Sequence, residues 1–423
     1  MLKKKDNDAL TRVGPRTSGG KMLRRYWQPV ALAEELPPGG EPVTVRLMDE
    51  DLVLFRDENN HIGLIGLHCP HRGTDLSYGR IEAGGLRCLY HGWVWDVNGK
   101  CLEQPCEPEG SKFKGKVKNL AFPCIERVGL IFAYLGPGEP PLLPAYEFLV
   151  APPEYVHVNK THMECNYAQG NEGNIDPAHL SFLHTFDETK VDPNSKNLSP
   201  LAVRDPNPVM ETEITDFGLR IHTLRDAAPD GWYLRVTNFI LPNLSAFPGG
   251  SLTGGYTVNW HVPIDDTNHW KYQIILTRTI DRALLDKTYF EDGITEDYMP
   301  VRNSANRYLQ DRKIMKTWSY SGIGPKPGSN FTAQDAFAIV TQGAIQDRTR
   351  EHLGYGDKVI VQARKLMLKA ITDVQKGKEP AHVVRDAAKN SFDHLVIRGE
   401  LIKDKKDWME RWKLPQEGEI RFR

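Results

Sequence analysis

No stretch of this 423-residue chain stays apolar for long. No run approaches the roughly 20 residues that crossing a bilayer requires. No apolar secretory segment follows Met1, so the chain is expected to be cytosolic and clear of membranes. Charge of one sign is also missing: 54 Lys and Arg against 55 Asp and Glu leave a net charge of −1. That balance argues against nucleic acid as the main partner, and Lys3, Lys4 and Lys5 make only a short solvated tail. Cysteine is scarce, six in all. In a reducing compartment these thiols are not expected to form structural disulfides, so metal binding is the better reading of any patterned pair. Glycine fingerprints for flavin or nicotinamide are absent, so electrons for any redox chemistry must come from a separate polypeptide.

What remains is ordinary globular composition, 40% apolar and 26% charged, on a chain long enough for two domains. Arg24 to Leu36 reads as an ordered opening segment (residues 1–39), closed by Pro37-Pro38-Gly39-Gly40. Short alternating strands follow at Val43–Leu47, Leu52–Phe55 and His61–Ile65, which suggests a small antiparallel β domain over residues 40–145. Inside it lie Cys69-Pro70-His71 and, sixteen residues further on, Cys88-Leu89-Tyr90-His91. Zinc sites usually space their ligands C-x2-4-C and H-x3-5-H. One Cys and one His on each of two loops suits instead a Rieske [2Fe–2S] cluster, in which two histidines hold one iron and two cysteines the other. Gly73, Gly79, Gly84 and Gly85 would let the loops close over sulfide, and Tyr90, Trp93 and Trp95 would form an apolar wall, although both tryptophans also suit plain core. Cys101, Cys106, Cys124 and Cys165 lack paired histidines and read as free thiols; His61 and His68 read as surface or hydrogen-bonding residues.

The second informative stretch runs from Asn171 to His184 and interleaves Glu172, Asp176, His179 and His184 with Ile175, Leu180, Phe182 and Leu183. Imidazoles and carboxylates buried among that much apolar surface need partners, and a metal ion satisfies several at once. On a regular helix residues five apart sit about 140° from each other. His179 and His184 therefore predict a widened turn such as a π-bulge, in a helix that Pro177 already disturbs. Ordinary core histidines are the competing reading. Asp176 before Pro177 also suits a helix N-cap.

Taken in order, Cys69-Pro70-His71, Cys88-Leu89-Tyr90-His91-Gly92-Trp93, Asp176-Pro177-Ala178-His179 and His184 resemble the oxygenase component of the Rieske non-haem iron oxygenases. Within that family the chain is most similar to the phthalate dioxygenase-like branch, which includes monooxygenases and O-demethylases of aromatic acids. The likeness runs from Arg25-Tyr26-Trp27 to Asp347-Arg348-Thr349-Arg350-Glu351-His352-Leu353-Gly354. The resemblance implies an α+β fold: an N-terminal Rieske β domain and, over residues 146–423, a helix-grip catalytic domain of antiparallel sheet and flanking helices. It implies two cofactors, the [2Fe–2S] cluster and a mononuclear Fe(II), and a homotrimer or stacked trimers in which electrons cross between subunits. The crossing would run through Asp176, from His71 or His91 of one chain to His179 of the next. The partners implied are O2, an aromatic acid and a separate NADH-dependent reductase, with or without a ferredoxin.

The site needs one carboxylate besides His179 and His184. Asp187 and Glu188 are near in sequence but sit in a polar run. The resemblance takes the third ligand from a late helix, here Phe331 to Val340, where Asp335 is the lone acid. Asp347 is the reserve, expected otherwise to pair with Arg348 or Arg350. Glu172, one turn before Asp176, could orient water near the iron or be a surface acid. Strands are expected at Met210–Thr215, Leu219–Leu224, Trp232–Leu241, Gly255–Pro263 and Trp270–Thr277, lining the pocket; Arg204, Arg225 and Arg235 are the candidates to meet a substrate carboxylate. Val301 to Thr317 and Lys358 to Gly377 read as helices, the latter with Arg364, Lys365, Lys369, Asp373 and Lys376 on a solvated face. The tail from Asp404, with Trp408 and Trp412, is expected to dock on a neighbour or on its own core. Two other functions remain open: a Rieske electron carrier, which needs only the first 150 or so residues and about two irons, and a colourless zinc-binding structural protein.

Overall fold

The computed structural model describes residues 1–187, 199–249, 255–277, 293–324 and 330–415. The first domain is built from three small antiparallel sheets. Val43–Leu47, Glu50–Arg56, Ile62–Gly66 and Ala121–Phe122 form one, and Arg80–Glu82, Gly85–Arg87, Val94–Trp95 and Cys101–Glu103 another. The third ties the opening segment in: Gln28–Leu32 pairs with Leu130–Ala133, which also pairs with Cys124–Arg127. Val53, Phe55, Ile65, Leu76, Leu86 and Trp95 fill the core beneath the metal loops and are buried.

The second domain is organised on an eight-stranded antiparallel sheet. Its strands run in the order Val156–Met163, His269–Leu276, Tyr256–Pro263, Leu244–Pro248, Trp232–Ile240, Gly218–Asp226 and Val209–Ile214, with Arg398–Ile402 also pairing to Trp232–Ile240. Five of these match expected strands within a residue or two; Val156–Met163, Leu244–Pro248 and Arg398–Ile402 were not foreseen. Alternation divides the sheet sharply. Tyr256, Val258, Trp260 and Val262 join Tyr272, Ile274 and Leu276 in the main apolar core. The intervening Asn259, His261, Lys271 and Gln273, with Asn159 on the adjoining strand, are polar and nonetheless buried.

Helices cover that polar face. From Tyr167–Ile175, Asn174 accepts from the side-chain amides and hydroxyls of Asn259 and Ser245 and meets His261 Nε2 at 2.7 Å. From Phe331–Val340, Thr332 accepts from the Lys271 ammonium at 2.9 Å. Two helices of the opening segment, Lys4–Thr11 and Ser18–Leu23, lie against Lys358–Gln375, whose Val359, Ile360, Ala363 and Met367 enter the main core.

Two helix expectations need correction. Val301 to Thr317 is not a helix: it holds two short 3-10 turns, Ser304–Leu309 and Ile314–Lys316, broken by positive φ at Arg307 and Tyr308. Burial of Tyr308 with Met163, Ile323 and Ala336 overrides local propensity there. In Lys358–Gln375, Lys365 and Lys369 are solvated, as is Lys376 at its C-cap, but Arg364 is buried. It sits one turn from Ile360 and on the inner side, where Glu172 and Glu351 receive it. The tail folds on its own chain. Trp408 and Trp412 pack on a cluster of Leu224, Leu234, Val236 and Ile402, and the Arg220 guanidinium lies 3.4 Å over the Trp412 ring.

Candidate metal centres

The two Cys–His loops are the same turn built twice. In each, the cysteine N–H donates to the carbonyl five residues on (Thr74, Trp93), and its carbonyl accepts from a glycine N–H four residues on (Gly73, Gly92). Gly73 and Gly92 have φ of +78° and +74°, a region closed to most side chains. Gly92 stands in the second motif but was not counted among the glycines that let the loops close. Cys69 and Cys88 are buried, 2% and 3% exposed, while His71 and His91 lie closer to the surface with ring centroids 4.5 Å apart. Burial pushes the Cys69 thiol up, as it would any thiolate lacking a metal. His91 Nδ1 is buried with no hydrogen-bond partner, as an atom aimed at a metal would be. Among the described residues these four donors do not converge on one point. That fits two irons held by ligand pairs better than a single zinc. Trp93 stacks on His71, 4.4 Å between centroids and 9° between planes, so it serves as the wall. Trp95 is core, and Tyr90 is 54% exposed rather than part of the wall. His61 hydrogen-bonds Asp57 and His68 meets the Gly73 carbonyl. All six cysteines are unpaired.

The second centre forms where one helix stops and another starts. Tyr167–Ile175 ends at Asp176, and a four-residue helix, Leu180–Leu183, follows Pro177. His179 and His184 flank that short helix, and His184 leaves the helical region at φ −99°, ψ 5°. The imidazoles therefore converge without the expected π-bulge, with centroids 5.1 Å apart. Asp335, on Phe331–Val340, completes the set: its Oδ1 lies 3.0 Å from His184 Nε2 and 3.6 Å from His179 Nε2. These are the described residues that can offer three ligand atoms within 4.8 Å of one another. Two histidines and one carboxylate on one face is the donor set of non-haem Fe(II) sites with open positions. Burial raises Asp335, but the two histidines and Lys271 more than reverse it, leaving its carboxyl below the usual range. For His179 burial lowers the pKa, and the carboxylates of Asp176 and Asp335 raise it further than burial lowers it.

The surrounding atoms set the tautomers. Gln334 Nε2 donates to the Ile323 carbonyl, so its Oε1 faces His184 Nδ1 at 2.6 Å and accepts from it. That leaves His184 Nε2 unprotonated and aimed at Asp335, the usual device for orienting a metal-binding imidazole. Gln334 went unread in the sequence, although its place beside the lone helical acid was the available signal. Asp176 acts in two ways. Its Oδ1 accepts from the Ala178 N–H at 2.8 Å, closing a turn rather than capping a helix, since the short helix has His179 at its N-cap; its Oδ2 lies 3.7 Å from His179 Nδ1, which has no hydrogen bond.

Other candidates fall elsewhere. Glu172 is neither a surface acid nor turned to the metal ligands: Arg364 grips it at 2.7 and 2.8 Å and the fully buried Arg348 at 3.1 Å. Asp347 is exposed and accepts from Thr349, while Arg348 goes to Glu172 and Asn7. Asp187 lies outside the converging group, and Glu188 lies outside the described residues. Among the arginines, Arg204 meets Asp230. Arg225 is fully buried and donates to the Pro177 carbonyl, bracing the histidine turn, with burial drawing its pKa down to about 10. Arg235 is half-buried, its charge acts on His179 and feels Asp335, and it has no ion pair among the described residues. Lys271 is buried at 4% exposure, and desolvation lowers it to about 8.

A cluster-binding domain joined to a two-histidine, one-carboxylate centre defines the class: a two-centre, oxygen-activating Rieske protein. Residues 26–122 match the Rieske [2Fe-2S] domain model, and residues 133–419 match the model described as LigXa C-terminal domain like. The chain is 39% identical to the phthalate 4,5-dioxygenase oxygenase subunit of Pseudomonas putida, over 89% of this chain and 88% of that one. It is 31% identical to the 5,5'-dehydrodivanillate O-demethylase oxygenase subunit of a Sphingobium species, over 92% and 85%. Its fold resembles the oxygenase of the reduced oxygenase–ferredoxin complex of carbazole 1,9a-dioxygenase, with a TM-score of 0.57 at 20% identity, covering 92% of this chain and 94% of that one. The chain belongs to the Rieske non-haem iron oxygenases, as an oxygenase subunit, and its α+β architecture is theirs. No helix among the described residues is long and apolar enough to cross a membrane.

Proposed function

We propose that this oxygenase subunit hydroxylates or O-demethylates an aromatic carboxylic acid, with electrons from a separate NADH-dependent reductase. The convergence of His179, His184 and Asp335 carries the reading. We assign the cluster to Cys69, His71, Cys88 and His91, and the mononuclear iron to His179, His184 and Asp335. We also divide the chain at residues 1–39, 40–145 and 146–423.

When bound, the iron supplies oxygen activation at its open positions; the chain supplies placement. His184 is held by Gln334, and Arg225 steadies the turn before His179. Arg235, cationic and unpaired among the described residues, is the group we place on the substrate carboxylate. Asp176 keeps one oxygen toward His179 while closing the turn, and we assign it the link to His71 or His91 of an adjacent chain. Exposed Leu89 and Tyr90 at the cluster tip, and Phe182 and Tyr320 beside the histidine turn, offer apolar surface for that docking and for a threefold ring.

Iron and product analysis test the reading. Purified loaded protein should hold about three irons per chain. With a reductase and an aromatic acid it should consume O2, releasing formaldehyde from a methoxylated acid or adding hydroxyls to an unsubstituted one. About two irons and no substrate-dependent uptake would leave an electron carrier. Asp176→Asn should keep both metal centres and lose nearly all coupled turnover; normal coupled turnover would remove the bridge assignment.

A further inference from the structure

The first domain carries a feature the site does not use. Between Ser111 and Asn119 the sequence places Lys112, Lys114, Lys116 and Lys118 with no acidic residue among them. All four are exposed; Lys114 donates to the Leu102 carbonyl, and none has a carboxylate partner among the described residues. Such a run is commonly just a solvated face, but this one surrounds an aromatic ring. Phe113, on the 3-10 turn Phe113–Lys116, is 43% exposed and meets Trp93 edge-on at 5.9 Å. Trp93 stacks flat on His71. An exposed phenyl group thus sits at the outer end of three rings in contact, and the inner ring is a cluster-ligand candidate.

We propose that Lys112–Lys118 is the docking surface for the electron donor, an acidic one-electron carrier protein, with Phe113 at its centre. Charge complementarity chooses this partner: four unpaired cations around an apolar contact repel a basic protein and steer an acidic one. In the docked pair one electron leaves the reduced carrier, which is oxidised, and enters the oxidised cluster, which is reduced; no bond forms and no proton moves. This inference rests on the reading that His71 binds a redox cluster.

The test is stopped-flow reduction of the full-length loaded protein by a reduced plant-type [2Fe–2S] ferredoxin, an acidic carrier, across ionic strength. For the wild-type chain the rate should fall steeply with salt. Lys112→Glu/Lys116→Glu/Lys118→Glu should be at least about tenfold slower at low salt, within the range electrostatic steering spans, and lose most of the salt dependence. Phe113→Ala should slow transfer while its salt dependence persists. Photoreduced 5-deazaflavin, an uncharged reductant, should reduce every variant alike. Unchanged ferredoxin kinetics in the triple variant would overturn the proposal, as would an equal loss from reversing Lys365, Lys369 and Lys376, which would make the effect one of net charge. Dissociation of a wild-type oligomer by the triple change would also overturn it, marking a contact between copies. A chain that no reductant bleaches would instead defeat the cluster reading itself.

Discussion

His184 is addressed by one helix through both ring nitrogens: Gln334 takes Nδ1, and Asp335 faces Nε2. Residues adjacent in sequence do this from opposite ends of the imidazole. Gln334→Leu should therefore weaken iron retention in the second centre by about 10–100-fold, the usual effect of removing such a partner. The acid-labile sulfide and two cluster irons should be unaffected, which separates the two centres in one metal analysis. Asp335→Ala should abolish the third iron, whereas Asp347→Ala, a change on an exposed carboxylate, should leave all metal in place. His179 and His184 could be read as a pair from their spacing among apolar residues, whereas Asp335 came only through the resemblance, as the lone acid of a late helix; the structure brings the three together. Gln334 could not be read, since an amide carries no ligand signature and its role depends on the Ile323 carbonyl fixing its orientation.

At the scale of elements, Glu172 shows what periodicity leaves out. It links Tyr167–Ile175 to Lys358–Gln375 through Arg364, and to the segment before that helix through Arg348. Burial would raise the Glu172 carboxyl, but Arg348 and Arg364 bring it below its ordinary 4.5. A depressed carboxylate contributes stability that is present above its unfolded value and lost as pH falls through the folded one. Thermal unfolding followed from pH 7 downward should show wild-type protein losing its margin over Glu172→Gln below about pH 4.5. At pH 7 the variant should be less stable by roughly 3–5 kcal/mol, the cost of breaking a buried pair. Equal acid sensitivity in both proteins would rule this out. Strands were readable because one face is apolar, as along Tyr256–Pro263. Arg364 was misread because spacing alone cannot tell a solvated arginine from one buried opposite two acids. Val301 to Thr317 was misread because Tyr308 is fixed by distant partners rather than by its neighbours in sequence.

At the scale of the whole molecule, the proposed ring implies that one chain's cluster serves another chain's iron. Chains carrying His71→Ala and chains carrying Asp335→Ala should each be inactive alone. Co-assembled in equal amounts, they should recover roughly a quarter of wild-type activity per chain, the share of neighbour pairs that combine an intact cluster with an intact ligand set in a cyclic assembly. Activity at the level of the single variants would mean that electrons stay within a chain. The ring comes from the resemblance alone, and the matching of faces could not be read from one sequence, because docking depends on exposed residues such as Leu89 and Phe182 that follow no period.

The catalytic ligands all come from helices and the turn between them, whereas the polar wall comes from strands. The reactive point is thus surveyed from one part of the fold and its surroundings furnished by another. Asn174 fastens the helix before the histidine turn to Asn259 and His261, and Thr332 fastens the Asp335 helix to Lys271, so a change on those strands reaches the reactive point through a helix rather than by touching it.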